Sequence, residues 1–148
     1  MSRRLGLFFA AAIGLGALGP AIGASEAAPA AGNINGLDYD FFKTRVEPIF
    51  LKQRPGHSRC YTCHEGANNF LHLEPLAEGQ QTWNEEQSRK MYESIAKLVT
   101  PANREQSRLL IHPLAPEAGG DLFHSGGRQF ENKDDPDYKI LMQWVGVK

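Results

Sequence analysis

The sequence predicts a single, mostly helical, loop-rich domain, and three observations lead to this prediction. The chain has 148 residues, which is enough for one ordinary domain and short for two. Apolar residues recur at helical spacing in three separate segments, which indicates helices rather than strands. Fifteen Gly and nine Pro residues indicate that much of the remaining chain forms loops.

The charge of the chain excludes two classes of protein. Sixteen Lys and Arg residues stand against seventeen Asp and Glu residues, for a formal net charge of -1. A nucleic-acid binder that relies on a strong basic surface would carry a clear excess of positive charge. A disordered acidic tail would carry far more negative charge and fewer apolar residues. We therefore expect a folded domain with no nucleic-acid partner.

Residues 1–30 have the features of a signal peptide. Arg3 and Arg4 form a positively charged head, residues 5–18 are apolar, and small residues follow. The apolar run is short for a membrane span, which needs about 20 residues. We expect export to the periplasm, and membrane association only if the segment stays uncleaved. Three cleavage positions are compatible with the pattern, after Ala24, Ala27 or Ala30.

Residues 31–37 are predicted to be a flexible lead-in, and residues 38–148 the folded domain. The first helix is expected to begin after Asp38, a residue type that caps helices. Pro48 should end or kink this helix, because proline lacks the backbone N–H that a helix interior requires. The apolar residues at helical spacing are Phe42, Val46, Ile49 and Phe50.

The second helix is predicted from residue 82 onwards. Thr82 and Glu85 have the spacing of a capping box, and Pro101 closes the segment. Before this helix, residues 53–59 and 65–81 are expected to form loops. In the second loop, we expect inward-facing apolar side chains at Phe70, Leu71 and Leu73.

The last third of the domain is predicted to end in a helix. Residues 107–114 fit either one helical turn or a buried extended segment, and residues 118–128 form a glycine-rich loop. Asp135 is the expected N-cap of the final helix, and Pro136 is compatible with its first turn. Its apolar face contains Tyr138, Leu141, Met142, Trp144 and Val145.

The most informative motif is Cys60-Tyr61-Thr62-Cys63-His64, which contains both cysteines of the chain. The spacing Cys-x-x-Cys-His is typical of covalent haem c attachment. Two thiols at this spacing reach the two vinyl groups of one porphyrin, while the adjacent imidazole points at the iron. His64 is then the proximal iron ligand, and the opposite axial position remains to be filled. In bacteria this attachment takes place outside the cytoplasm, which agrees with the predicted signal peptide.

The motif is also compatible with three kinds of site that hold no haem. A thioredoxin-type redox pair would follow a strand in a βαβ unit, and no such pattern surrounds Cys60 and Cys63. A zinc site needs further ligands, for which His57 or His72 are the candidates. A plain structural disulfide across two residues closes a short loop and offers little entropic stabilisation.

The chain resembles the monohaem c-type cytochrome family over about residues 38–147. The stretch Val46-Glu-Pro-Ile-Phe50 before the motif is similar to the bacterial cytochrome-c-like domains of the planctomycete and acidobacterial type. The resemblance implies a cytochrome c-like helical domain wrapped around one covalent haem. It continues more loosely in the tail, at Leu109, Leu110, Pro113, Leu114, His124, Gly126, Gly127, Phe130, Tyr138 and Trp144.

In this family, the second axial ligand is usually a Met in a loop before the last helix, and this sequence departs from that pattern. That loop contains His124 in the sequence His-Ser-Gly-Gly, and His112 lies shortly upstream. We expect His124 to be the distal ligand, with His112 as the next candidate. An open distal position, Met91 and Met142 are the remaining candidates.

The resemblance implies single-electron transfer with redox-partner proteins rather than an enzymatic reaction. Two alternatives stay open, namely a haem enzyme or a gas or peroxide sensor with an open distal site, and a haem subunit of a larger redox complex. His57 and His72 are expected to be solvated or hydrogen-bonded side chains. Arg128 is either a solvated side chain or a partner of a haem propionate.

Overall fold

The prediction of a mostly helical domain is confirmed in a computed structural model that describes residues 33–147. The predicted signal peptide and the first residues of the lead-in lie outside this range. Between residues 33 and 147 there is no strand, and two isolated parallel bridges join Glu65 to Leu73 and Leu114 to Phe130. No helix in this range is long and apolar enough to cross a membrane. The α-helices are α1 (Tyr39–Phe41), α2 (Glu47–Leu51), α3 (Cys60–His64), α4 (Glu85–Ala96), α5 (Arg108–Ile111) and α6 (Pro136–Val145).

The first helical region begins as predicted and then continues through Pro48. The side chain of Asp38 accepts a hydrogen bond of 2.7 Å from the Phe41 amide, which is the expected N-cap. After α1, residues Phe42–Val46 form a π-helical segment, and α2 follows directly. Pro48 therefore lies in the first turn of α2, where a missing N–H has little effect.

The N-cap of helix α4 is Asn84, two residues later than the predicted Thr82. Its capping box is formed by Asn84 and Gln87, each of which accepts a 3.0 Å hydrogen bond from the backbone amide of the other. Trp83 stays in the preceding loop, because its indole N–H donates to the Glu74 carbonyl at 2.6 Å. The capping box predicted at Thr82 and Glu85 is wrong, since the buried indole decides where the helix begins.

The two later helical regions agree with the sequence patterns. Residues 107–114, which fit a helical turn or an extended segment by sequence, contain the short helix α5. Helix α6 begins after Asp135, whose side chain accepts hydrogen bonds from the amides of Asp137 and Tyr138. Short 3-10 turns lie at Ile34–Gly36, Arg104–Gln106 and Pro116–Ala118.

An aromatic cluster joins the long helices of the domain. The ring centroids of Phe42 and Trp144 are 5.2 Å apart, and those of Phe42 and Tyr92 are 5.6 Å apart. The Trp144 indole also donates to the Asp38 carbonyl at 2.8 Å. We call this part of the molecule, residues 39–51 together with α4 and α6, the helical frame. Its side chains are packed and hydrogen-bonded to one another.

The described end of the predicted lead-in is bound to the helical frame. The Tyr92 hydroxyl accepts a hydrogen bond from the Ile34 amide and donates to the Leu37 carbonyl, at 2.8 and 2.6 Å. Arg104 ties the beginning of the described chain to its end, because its guanidinium donates to the carbonyls of both Asn35 and Val145. Residues 33–37 thus belong to the folded domain.

Candidate functional site

A cavity of about 290 Å³ lies between α2, α3, α5, α6 and two loops. This volume is at the lower end of the range for small-molecule sites, about 300–1,000 Å³. All of the primary ligand candidates from the sequence lie in its wall, namely Cys60, Cys63, His64, His112 and His124. The remaining wall is mostly apolar and includes Ile49, Phe50, Leu71, Leu98, Leu109, Pro113, Phe130 and Leu141.

The Cys-x-x-Cys-His motif forms α3, a single helical turn. Residues three apart in a helix lie on one face, so Cys60 and Cys63 are neighbours there. Both are free thiols; Cys60 is half-buried and Cys63 is exposed. Burial raises the pKa of the Cys60 thiol to about 11. Thioredoxin-type catalysis instead needs a thiol whose pKa is lowered.

The imidazole of His64 is fixed by the loop that follows α3. Its Nδ1 lies 2.8 Å from the Leu71 carbonyl and 3.1 Å from the Asn69 side-chain oxygen. Because a carbonyl only accepts, Nδ1 carries the proton and Nε2 keeps its free lone pair. The loop is held in turn by a 3.0 Å hydrogen bond from the Leu73 amide to the His64 carbonyl. This arrangement is typical of a histidine prepared for a metal ion.

His124 lies near His64 and has the same protonation pattern. Its Nδ1 donates to the Gly127 carbonyl at 2.5 Å, which leaves Nε2 free. Gly127 has φ +75°, a conformation that favours glycine. Burial lowers the pKa of His124 against the opposing effect of its hydrogen bond to Gly127, and the neighbouring His112 and His64 lower it further. The lowered pKa favours the neutral imidazole, which is the form that binds metals.

The rings of His64 and His124 are stacked nearly parallel, at a centroid separation close to that of two imidazoles bound to one metal ion. Their ring centroids are 6.2 Å apart and their planes differ by 14°. If each nitrogen lies about 2 Å from a metal and each centroid about 1 Å further back, the two centroids are about 6 Å apart. Two protein ligands are sufficient for a haem iron, which takes its other bonds from the porphyrin.

A tetrahedral zinc site fits these residues poorly. Structural zinc is bound by four protein ligands and catalytic zinc by three. In residues 33–147 no group of three or more His, Cys, Asp or Glu side chains is arranged to hold a metal ion. His57 and His72, the candidates for additional zinc ligands, do not line the cavity. The donor set fits haem better.

His112 is the third imidazole in the cavity wall. Its Nδ1 lies 2.8 Å from a carboxylate oxygen of Asp121, so Nδ1 is the donor and Nε2 is the ring nitrogen that does not contact the carboxylate. The ring centroids of His112 and His124 are 4.8 Å apart. Met91 and Met142, the two methionine candidates for the distal ligand, are absent from the residues that line the cavity.

Two arginines that the sequence reasoning missed also line the cavity. Arg59 and Arg108 are exposed, and neither forms a salt bridge with a described residue. Among the described residues of the wall there is no carboxylate. Arg128, for which the sequence left a propionate contact open, instead pairs with Glu117 and lies outside the wall. The charge at the cavity suits an anionic ligand. Arg59 directly precedes Cys60 in the sequence, and this position could have identified it as a residue near the cavity.

Exposed apolar side chains lie at the cavity wall and in the segment that leads to His124. In residues 33–147, the exposed large hydrophobic side chains are Phe70 (70% exposed), Leu122 (79%) and Phe123 (86%). Phe70 lines the cavity, and the other two directly precede His124. Because the side chain of Phe70 is largely exposed, the expectation that it faces inward is wrong. Leu73 is buried as predicted. We call residues 69–71 and 122–126 the cavity rim.

The chain was compared with protein-family models, curated proteins and solved structures, and none of the three comparisons gives a match.

Proposed function

We propose that the protein is an exported monohaem c-type cytochrome that transfers single electrons. The observation that carries the proposal is the convergence of the Cys-x-x-Cys-His turn and the His124 imidazole on one apolar cavity. The sequence predicted each of these features as part of a haem c site. They come from segments about 60 residues apart in the chain, so their meeting is a tertiary property.

In this proposal, Cys60 and Cys63 hold one haem covalently. Each thiol would add its S–H across one vinyl C=C bond, which forms one carbon–sulfur and one carbon–hydrogen bond and consumes no oxidant. His64 would be the proximal ligand and His124 the distal one. The Leu71 and Gly127 carbonyls fix the two imidazoles in the required tautomer.

The remaining wall has two further roles. The apolar side chains exclude water from most of the porphyrin, which is one means by which proteins tune a haem potential. Arg59 and Arg108 supply positive charge for the propionates of the haem, since no carboxylate of the described residues competes for them at the wall. When bound, the haem supplies a one-electron redox couple. Two histidine ligands favour a lower potential than a His/Met pair.

The proposal includes export and redox-partner proteins. Residues 1–30 have the pattern of a signal peptide, and covalent haem attachment in bacteria takes place outside the cytoplasm. N-terminal sequencing of the protein from the periplasmic fraction tests this part. A mature N-terminus after residue 24, 27 or 30 would support it, and a full-length cytoplasmic chain would contradict it.

The experiment for the haem is production in a host with a cytochrome c maturation system. We expect the denatured protein to retain one haem, seen as an intact mass increased by one haem and as a haem c absorption spectrum. Cys60→Ser with Cys63→Ser should abolish covalent attachment. His57→Ala is the matched control, because His57 lies outside the cavity wall and should leave the spectrum unchanged.

The spectra also separate the proposed electron carrier from a haem enzyme or sensor. A low-spin spectrum that carbon monoxide does not change would support two protein ligands and electron transfer. A high-spin spectrum that responds to carbon monoxide would instead favour a haem enzyme or a gas or peroxide sensor. Size-exclusion chromatography of the native material distinguishes a free carrier from a subunit of a larger complex. The bare polypeptide mass would overturn the haem proposal as a whole.

A further inference from the structure

The cavity wall contains one more metal-binding imidazole than a haem iron with two protein ligands can use. His64, His112 and His124 all line the cavity, and each has its Nδ1 bound to an oxygen. In each of the three rings, Nε2 is thus the nitrogen without a described hydrogen-bond partner, and it is the atom with which the neutral imidazole can bind a metal. By sequence, His112 and His124 are exclusive candidates for one ligand position. The structure instead places both at the wall, with ring centroids 4.8 Å apart.

The two imidazoles are attached to the domain in different ways. His112 caps the C-terminus of α5, and its amide donates to the Arg108 carbonyl at 3.1 Å. The adjacent side chains of Leu110 and Leu114 are buried. His112 is therefore held by a helix that is anchored in the core.

His124 lies in a loop that is attached at both ends but not in the middle. The loop is fixed at its start by the Asp121 amide and at its end by the Gln129 amide, which donate to carbonyls of residues 111 and 113. Within residues 122–127 the structure describes one backbone hydrogen bond, and it is local: the Gly127 amide donates to the His124 carbonyl. Leu122 and Phe123 are also exposed, so little packing holds this part. Segments with few buried contacts and local hydrogen bonds are the first to open.

From this difference we infer that His112 is a reserve axial ligand, which replaces His124 when residues 122–127 move away from the cavity. The inference rests on the proposed function, because it requires a bound haem. In the exchange, the bond from the iron to the His124 nitrogen breaks and a bond to His112 Nε2 forms. The proton on each Nδ1 stays in place, and no electron is gained or lost. The iron thus keeps two protein ligands in both arrangements.

The two ligands should give different reduction potentials. His112 donates to the Asp121 carboxylate, whereas His124 donates to a backbone carbonyl. A carboxylate partner makes an imidazole a stronger electron donor to a metal. Coordination by His112 should therefore stabilise the oxidised iron and lower the potential. A loop movement would then select between two potentials of one haem.

The test compares four holoproteins by ferric electron paramagnetic resonance, visible spectroscopy with and without carbon monoxide, and redox titration. Wild type and His112→Ala should both be low-spin and indifferent to carbon monoxide. His124→Ala should remain low-spin with a lower potential, because His112 takes the position. The double variant His112→Ala/His124→Ala should be high-spin and bind carbon monoxide.

The role of Asp121 provides an independent measurement. In the His124→Ala background, Asp121→Asn should raise the potential while the low-spin spectrum is retained. In the wild-type background the same substitution should change the potential much less, since His124 is then the ligand. Equal shifts of the potential in both backgrounds would contradict the proposed effect of the Asp121 carboxylate and overturn the predicted difference in potential between the two ligands.

Other outcomes overturn the inference while leaving the proposed function intact. A His124→Ala holoprotein that is high-spin and binds carbon monoxide would show that His112 cannot replace His124. A high-spin His112→Ala holoprotein would show that His112 is the resident ligand instead. If none of the variants carries covalent haem, the proposed function itself fails, which the mass measurement detects separately.

Discussion

The helical frame and the cavity side of the molecule are built from different structures. The frame contains the long helices α4 and α6, and its aromatic rings contact one another directly. The cavity side is formed mainly by the short helices α3 and α5 together with loops, while Ile49, Phe50 and Leu141 of the frame close its wall, and its rim carries exposed apolar side chains. The frame thus buries its apolar surface within the protein, whereas the rim leaves apolar surface that a ligand can cover. The fold therefore separates a region that maintains the domain from a region whose apolar surface is available to a ligand.

The largest expected effect comes from removing an aromatic ring of the frame. Phe42 is fully buried and contacts both Tyr92 and Trp144. We expect Phe42→Ala to lower the free energy of unfolding by about 3–5 kcal/mol, through lost burial and a residual cavity. Chemical denaturation monitored by far-UV circular dichroism measures this change. A loss below about 1 kcal/mol would contradict the proposed difference between the frame and the cavity side, because the frame would then not depend on its aromatic cluster.

A buried carboxyl group in the frame predicts a dependence of stability on pH. Glu47 lies near Ser88, Lys43 and Glu85, and burial raises its pKa to about 7. Between pH 4.5 and 7 the folded protein keeps a proton that the unfolded chain releases, so this group makes the protein less stable as the pH rises. Glu47→Gln should remove that loss and raise stability at pH 8 by up to about 3 kcal/mol.

Unfolding curves at pH 4 and pH 8 test this prediction. At pH 4 the variant and the wild type should differ much less, because the Glu47 carboxyl is then protonated in both states. Glu93→Gln on the exposed face of α4 is the matched control, and it should show no comparable gain at pH 8. An equal gain at both pH values would contradict the assignment to Glu47 ionisation.

An intermediate effect is expected at Gly120, where the loop that contains His124 meets α5. A Cβ atom at this position would lie 1.9 Å from the Leu114 carbonyl oxygen and 2.9 Å from that of Ile111. Gly120→Ala should therefore displace backbone and destabilise the protein by about 1–3 kcal/mol. Thermal unfolding measures the change. At Gly126 the added Cβ would only reach ordinary contact with His124, so Gly126→Ala serves as the control and should lower stability far less.

The smallest effect is expected at the rim. Phe123 is almost fully exposed, so Phe123→Ser should change the free energy of unfolding by no more than about 0.5 kcal/mol. Paired with Phe42→Ala under identical conditions, it compares one phenylalanine in each region. A loss of several kcal/mol at Phe123 would show that the rim supports the fold, and the comparison between the two regions would no longer hold.

Local signals predicted parts of the fold well. Asp38 and Asp135 cap helices as expected, because an N-cap depends on hydrogen bonds within a few residues. The beginning of α4 was missed, since it depends on the Trp83 indole and a carbonyl nine residues away. The π-helical segment before Pro48 was missed for a related reason. Phe42 and Val46 of this segment are buried among the other residues of the frame, and such tertiary contacts are not contained in sequence periodicity.

The candidate site was likewise predictable where its signals are local and not where they depend on tertiary structure. The spacing of Cys60, Cys63 and His64 is local, and it identified these residues of the cavity wall from the sequence alone. Arg59, Arg108 and the exposed position of Phe70 were not predicted, because surface charge and exposure around a cavity depend on which segments meet there. The coexistence of His112 and His124 in one wall is likewise visible only in three dimensions.

The contact made by Arg104 has a consequence for protein engineering. One guanidinium group binds both Asn35 and Val145, so the two ends of the described domain lie within reach of a single side chain. Domains with neighbouring termini tolerate circular permutation and insertion into a loop of another protein. The domain can therefore be joined to a host at two points, with Arg104 holding the junction together. In such a chimaera, the cavity between α3 and α5 would remain a separate face of the domain.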